Sequence, residues 1–326
     1  MAMSNLFAEG VLTDPNMQTD PRKKNPPQWN LFADMLVLKA NEIATWALKV
    51  DFMPYTTSGG ESAVNFSQTP KSVNFDWDFG VRAGFGYRFE GDRWDTRLYY
   101  TWFKTEGKDS SFASNADSNV TTALLGEWLT FGFASNSGRI QWRIVLNSVD
   151  WELGRDCPVS KGLSFRPYLG LKGAWINQKV HSQWTSKQFK ANENLKNDFW
   201  GIGPKGGVDT NWLLGSVNNH SFKLFGDTYL ALLGGCWTLK DIQKTSMNSS
   251  LAGVNPTTWA ATFMFYGVMG FGWDVMFNKN GSNFGVRMGY EFQYWYDQLK
   301  IFTFLEGTLH AALVLQGGML DVHINY

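Results

Sequence analysis

The stretch Asn74-Phe75-Asp76-Trp77-Asp78-Phe79-Gly80-Val81-Arg82-Ala83-Gly84-Phe85-Gly86-Tyr87-Arg88-Phe89-Glu90 alternates at every step. Phe75, Trp77, Phe79, Val81, Ala83, Phe85, Tyr87 and Phe89 share one parity; the other carries Asp76, Asp78, Arg82, Arg88 and Glu90 among glycines and Asn74. Successive side chains of a β-strand point to opposite faces, so this is a two-faced strand. Its length decides the setting. Strands of soluble domains run about 5–6 residues, whereas a tilted crossing of a bilayer takes roughly 9–11. One apolar face and one charged face suit lipid outside and a polar lumen inside.

The rest of the chain follows the same grammar. Expected strands cover 29–40, 94–104, 138–156, 163–179, 198–214, 221–239, 257–277, 283–297 and 312–326, besides 74–90. Trp46 to Phe52 also alternates, either as an extension of the first strand beyond a bulge or as a separate strand. Short turns at 91–93, 160–162, 217–219 and 278–281 interleave with long polar segments at 54–73, 105–137, 180–197 and 241–256. Outer-membrane barrels keep short turns in the periplasm and long loops outside. With both ends periplasmic the count is even: ten strands, or twelve if 44–53 stands alone and finds a partner. Thr121 to Phe133 is the place for that partner, with a plug helix as the competing reading. In 138–156, Ile140, Trp142, Ile144 and Leu146 share one parity and Val149, Trp151 and Leu153 the other, which predicts a β-bulge near Asn147-Ser148.

Composition narrows the class. The 326 residues include 16 Trp, 25 Phe, 11 Tyr and 33 Gly, yet no run of about 18 apolar residues that would cross as a helix. Lys plus Arg equals Asp plus Glu at 29 each, which argues against a nucleic-acid partner. No basic-then-apolar leader opens the chain, so a mature protein is expected. Residues 1–28, with Pro15, Pro21, Pro26 and Pro27, read as a polar periplasmic segment or partial plug, and 29–326 as the barrel. Cys157 and Cys236 fall far apart in this scheme and read as free thiols, not metal ligands.

Candidate residues follow from parity. Asp76, Asp78, Arg82, Arg88, Arg97, Arg166, Lys172, Lys205, Asp209, Asp227, Arg287 and Glu291 fall on the inward face and form either a pore wall that sets ion selectivity or a salt-bridged filling of a narrow barrel. Inward glycines such as Gly84 and Gly207 either widen the lumen or make room for large neighbours. Trp77, Phe89, Trp94, Trp200, Trp212, Trp259, Trp273 and Tyr296 suit interfacial aromatic girdles. Val322, Ile324 and the terminal Tyr326 read as a C-terminal assembly signal for the barrel-assembly machinery. The histidines His181, His220, His310 and His323 carry no catalytic motif, so neither enzyme activity nor a cofactor or metal is expected.

Four blocks carry a family resemblance. Asn197-Asp198-Phe199-Trp200-Gly201-Ile202-Gly203-Pro204, running on through Val208 to Trp212, resembles the Legionella-type major outer membrane protein family, also found in environmental chlamydiae. So do Trp151 to Arg155, Ser164 to Tyr168 with Gly173 to Ile176, and Gly289 to Trp295. The resemblance implies a porin-like barrel in outer-membrane lipid, whose loops can meet host factors. The expected role is passive diffusion of small polar solutes or ions; the alternative is an adhesin or structural protein with a plugged lumen. Oligomeric state stays open. The folded chain is expected to need detergent or lipid and to change its gel mobility on boiling; a monodisperse folded protein in plain buffer would overturn the barrel reading.

Overall fold

The computed structural model describes residues 28–326, apart from 43, 57, 61, 91–92, 114–117, 123–134, 188–189, 247–251, 278–281 and 304–306. Ten antiparallel strands form a closed circuit. In chain order the strands are β1 (Gln28–Glu42), β2 (Thr45–Thr56), β3 (Ser62–Ser72), β4 (Trp77–Arg88), β5 (Trp94–Phe112), β6 (Ser118–Thr122), β7 (Ser137–Arg155), β8 (Cys157–Ser160), β9 (Leu163–Thr185), β10 (Lys190–Val217), β11 (His220–Thr245), β12 (Ala252–Val254), β13 (Thr257–Met276), β14 (Asn283–Thr303) and β15 (Gly307–Asn325). The circuit runs β1-β4-β5-β7-β9-β10-β11-β13-β14-β15 and returns to β1. Closure satisfies every strand edge, which a bilayer demands because lipid offers no hydrogen bonds. At the seam, Trp29 and Tyr326 exchange both backbone hydrogen bonds (2.7 and 2.8 Å).

The strands are longer than the alternation of apolar residues marks. β5 continues to Phe112, and β9 and β10 meet across only a few residues, where sequence reading expects loops over 105–137 and 180–197. β14 and β15 likewise approach each other, so the last strand begins well before 312. Trp46 to Phe52 belongs to a separate strand, β2, which pairs with β3 and with β6 in a small second sheet. Thus 54–73 is largely strand, and Thr121-Thr122 belongs to a short partner strand rather than a barrel stave. Most of 121–133, the segment 1–27 and the turn at 278–281 lie outside the described residues.

The expected bulge in β7 is absent: its register with β5 and with β9 is unbroken. Ile140, Trp142, Ile144 and Leu146 point inward and are buried, as are Ser148, Asp150 and Glu152 further along the same face. The opposite face carries Arg139, Gln141 and Arg143, then Val149, Trp151 and Leu153. The strand therefore keeps its parity and changes its surroundings. Where lipid lies outside, the outer face is apolar and the inner polar; beyond the lipid, water lies outside and the pattern inverts.

The inversion is recorded on neighbouring strands. Trp102, Asn147, Trp175, Trp200, Cys236 and Trp259 are consecutive cross-strand partners in register from β5 to β13. Beyond this row the outer face turns polar with Lys104, Arg143, Lys179, Lys196 and Lys240. Barrel strands tilt, so the row climbs around the wall and leaves a taller apolar exterior on β10–β13 than on β5–β7. Cys236 is buried with a free thiol, and Cys157 is free as well.

These placements predict opposite outcomes on one strand. Leu169→Arg, on a side chain 74% exposed to the lipid side of β9, costs roughly 2–4 kcal/mol. Gln183→Arg, on the same face beyond the row, stays within about 0.5 kcal/mol. Urea unfolding in vesicles measures both, and equal costs would place the lipid boundary elsewhere.

Candidate functional site in the barrel lumen

All the inward candidates except Asp76 enter β-strands that turn them toward the barrel axis. Asp76 precedes β4 and is exposed; the chain reaches the strand through an irregular segment that instead turns Phe75 inward, fully buried against Trp142. Phe75 is thus removed from the lipid-facing set and Asp76 from the lumen wall. Asp78 is half-buried, and Arg88 sits at the periplasmic end, where it reaches Gln28 at 3.5 Å.

The buried charges are assembled into networks. Lys205, wholly buried, bridges Asp150 and Glu152 at 2.9 Å each and donates to the Tyr99 hydroxyl at 2.6 Å. Lys172 binds the other oxygen of Asp150 at 2.9 Å. Tyr99 donates onward to Glu152 (2.9 Å), and the Lys205 ammonium lies 4.3 Å from the centre of the Tyr229 ring. Arg166 holds Asp95 through two guanidinium nitrogens and reaches Glu152 at 3.0 Å. Tyr168 donates to Asp227 (2.8 Å), and Arg97 pairs with Asp209 (3.2 Å).

A second network crosses the barrel. Arg82 contacts Asp34 (2.9 Å), Glu291 (2.8 Å) and Tyr266 (3.3 Å), joining β4 to β1, β14 and β13. Toward the periplasm, His323 is held between Asp274 (2.8 Å) and Asp321 (2.6 Å), and Lys223 meets Asp274 at 2.6 Å. Arg287 lies 3.9 Å from Asp321. Most of these charges meet an opposite one, the condition under which ionised groups tolerate such burial; Asp227 instead accepts from the neutral Tyr168 hydroxyl.

Inward glycines resolve in favour of packing. A Cβ at Gly84 would lie 2.8 Å from the Phe32 ring, and one at Gly207 would lie 2.8 Å from the Tyr168 ring. They admit large side chains into a narrow lumen instead of widening it. What remains open among these groups is a polar cavity of about 110 Å³ near Asp34, Arg97, Asp209, Asp227, Arg287 and Asp321.

Above the charges lies an apolar seal that inward parity alone did not reveal. Trp46, Trp142, Trp184, Trp237 and Trp295 are fully buried there with Phe75, Phe103, Leu36 and Leu38. Each indole N–H has a partner: Asp109 (2.8 Å), Gln178 (3.1 Å), Ser182 (2.9 Å), the Gln298 carbonyl (3.3 Å) and Gln293 (3.0 Å), respectively. Trp46 comes from β2 and packs on Trp184, so part of the seal is delivered by the connection between β1 and β4.

Outside, Trp77, Trp94, Trp200, Trp212, Trp259 and Tyr296 are exposed, as is Phe89, while Trp273 is half-covered by a stacked His220. Trp77, Trp200, Trp259 and Tyr296 lie toward the outer ends of their strands; Phe89, Trp94, Trp212 and Trp273 lie toward the periplasmic ends. Val322, Ile324 and Tyr326 are exposed along the outer face of β15 and its end.

The pattern of the Legionella pneumophila major outer membrane protein precursor family matches residues 21–325. This chain belongs to that family. It is accordingly an outer-membrane barrel, embedded in outer-membrane lipid. No curated protein matches its sequence. Among solved structures, the outer membrane protease OmpT from Escherichia coli aligns over 93% of this chain and 98% of its own, with 8% identity and a TM-score of 0.41. The TodX deltaS2S3 mutant, a monoaromatic hydrocarbon channel, aligns over 96% and 94% with 9% identity and a TM-score of 0.29. A Pseudomonas aeruginosa FadL homologue covers 93% and 90% at 8% identity and a TM-score of 0.21. Likenesses this distant carry no argument about activity.

The lumen networks predict unequal costs. Lys205→Met leaves the buried Asp150 with Lys172 alone and Glu152 with Arg166 as its remaining cation, and costs roughly 3–5 kcal/mol. Lys223→Met, at a side chain 30% exposed, costs about 0–1 kcal/mol. Both are read from unfolding midpoints in vesicles; similar shifts would mean the central charges are solvated.

Proposed function

We propose that this family member is a surface-exposed outer-membrane barrel with a closed lumen, acting through its exterior and its extracellular strand extensions. The buried tryptophan seal carries this reading. Five fully buried indoles and interlocked ion pairs occupy the lumen among the described residues, beside a cavity of only about 110 Å³. Ten strands enclose a space that side chains nearly fill. The exposed C-terminal residues Val322, Ile324 and Tyr326 fit recognition by the barrel-assembly machinery, and the extracellular connections are available to host surface factors.

A second reading, passive diffusion of small polar solutes or ions as in a porin, is favoured by one observation. Trp46, Ala47, Val73 and Phe75 of the seal belong to the β1–β4 connection and not to barrel staves, so displacing that connection would open the seal from outside. No reaction is assigned. His310 meets Asp297 near the outer end, with Lys300 as the aspartate's other ionic neighbour, and no hydroxyl nucleophile joins them among the described hydrogen bonds.

Planar-bilayer recording tests the choice. The refolded wild-type chain is expected to insert without discrete conductance steps. Stable steps, with a reversal potential in a salt gradient, would replace the closed-lumen reading by the porin one. Under the porin reading Trp46→Ala raises conductance; under the closed reading the variant stays silent, because Trp142, Trp237 and Trp295 remain.

A further inference from the structure

Beyond the apolar band, the outer face of β5, β7 and β9 bears Lys104, Lys108, Arg139, Arg143 and Lys179. Register places them together. Glu106, Arg143 and Lys179 are cross-strand partners in register, as are Lys108, Gln141 and His181, and next Ser110, Arg139 and Gln183. Glu106 is the acid of this outer face: it takes Arg143 (2.9 Å), Lys108 (3.2 Å) and Gln141 (2.7 Å). Lys104, Arg139 and Lys179 make no ion pair among the described residues, and all three are exposed. Lys179 stands opposite both Arg143 and Lys196, and like charges so placed repel unless an anion joins them.

The same face contains a cleft of about 580 Å³, lined by Lys108, Arg139, Gln141, His181, Gln183 and Phe112. Asp109 also lines it, but its carboxylate accepts the Trp46 indole N–H at 2.8 Å. Amide and imidazole groups beside an exposed phenyl ring are the partners a sugar ring uses, and the cations are those a phosphate uses. Directly below stand Trp102, Trp151 and Trp175 on the lipid side. At about 3.4 Å per residue and a tilt near 40°, Lys104 stands roughly 5 Å and Lys108 roughly 15 Å above Trp102 along the membrane normal. Each headgroup layer is roughly 5–8 Å thick, so Lys104 stands at headgroup height and Lys108 just beyond it.

We propose that this face binds the phosphorylated sugar headgroup of an outer-leaflet glycolipid. The phosphates meet Lys104, Arg139 and Lys179, the sugar enters the cleft, and the acyl chains descend along Trp102, Trp151 and Trp175. Depth favours a lipid over a soluble acidic polysaccharide, because the cations begin where the apolar band stops. The assignment is independent of whether the lumen conducts.

Native mass spectrometry of the full folded chain in detergent tests it, with bisphosphorylated lipid A, its dephosphorylated form, and heparin as probes. Wild type is expected to retain bisphosphorylated lipid A. Binding is expected to weaken roughly tenfold or more in the Lys104→Gln/Arg139→Gln/Lys179→Gln variant and for the dephosphorylated lipid. The control Lys39→Gln, on β1, binds as wild type. Undiminished binding by the folded triple variant, or equal binding of the dephosphorylated lipid, overturns the proposal. Heparin binding with the same variant dependence and no preference for lipid A phosphates also overturns it, in favour of a polysaccharide. Should the triple variant not fold, a salt titration of wild type decides: retention must fall with ionic strength for the bisphosphorylated lipid and stay flat for the dephosphorylated one.

Discussion

Ten strands closed on themselves leave too little room for water and too much for nothing. That constraint organises the molecule. The backbone hydrogen bonds are satisfied around the wall, so the remaining freedom lies in what fills the interior. Large inward side chains pack over glycines such as Gly84 and Gly207, and the charges they bring must find each other. Lys205 between Asp150 and Glu152, and Arg82 between Asp34 and Glu291, are the outcome. Ion pairs of this kind are weak sources of net stability, because desolvation offsets their attraction. They do tie together strands remote in sequence: Arg82 alone links β4 to β1 and β14.

The wall passes through two solvents without interruption. In β7 one face reads Ile140, Trp142, Ile144, Leu146, Ser148, Asp150, Glu152, and all of it points inward. Outside water requires an apolar interior at the outer end, and outside lipid permits a polar interior further down. The outer part of the barrel is thus packed with buried tryptophans and aliphatic side chains, among which Gln178, Ser182 and Glu193 are buried as well. On the exterior, the strand extensions carry cations immediately beyond the lipid-facing tryptophans.

Much of this was legible before any coordinates. Alternation in 74–90 and its length specify a bilayer-crossing strand, and the repetition of short turns and long loops points to ten staves, with twelve left open by Trp46 to Phe52. Inward placement of Arg82, Arg97, Arg166, Lys172, Lys205, Asp209, Asp227, Arg287 and Glu291 follows from parity, because side-chain direction along a strand is a local property. The family blocks around Asn197 to Trp212 lead to the family that residues 21–325 match.

What parity could not supply is the identity of the medium on each side. Phe75 has the parity of Trp77 yet is buried, because β4 begins only at Trp77. The switch within 138–156 looks like a bulge because an apolar side chain is equally at home against lipid or in a dry core. Extension of β9 and β10 through polar residues was hidden for the same reason, since their outward faces there meet water. Local sequence, then, determined that the chain forms a membrane barrel, narrowed its staves to ten or twelve, and set which residues of an uninterrupted strand share a face. Only the tertiary structure decided where the lipid ends, which charges pair across the lumen, and that Trp46 enters the mouth. Those depend on contacts between residues distant in sequence, and on a change of solvent that periodicity does not record.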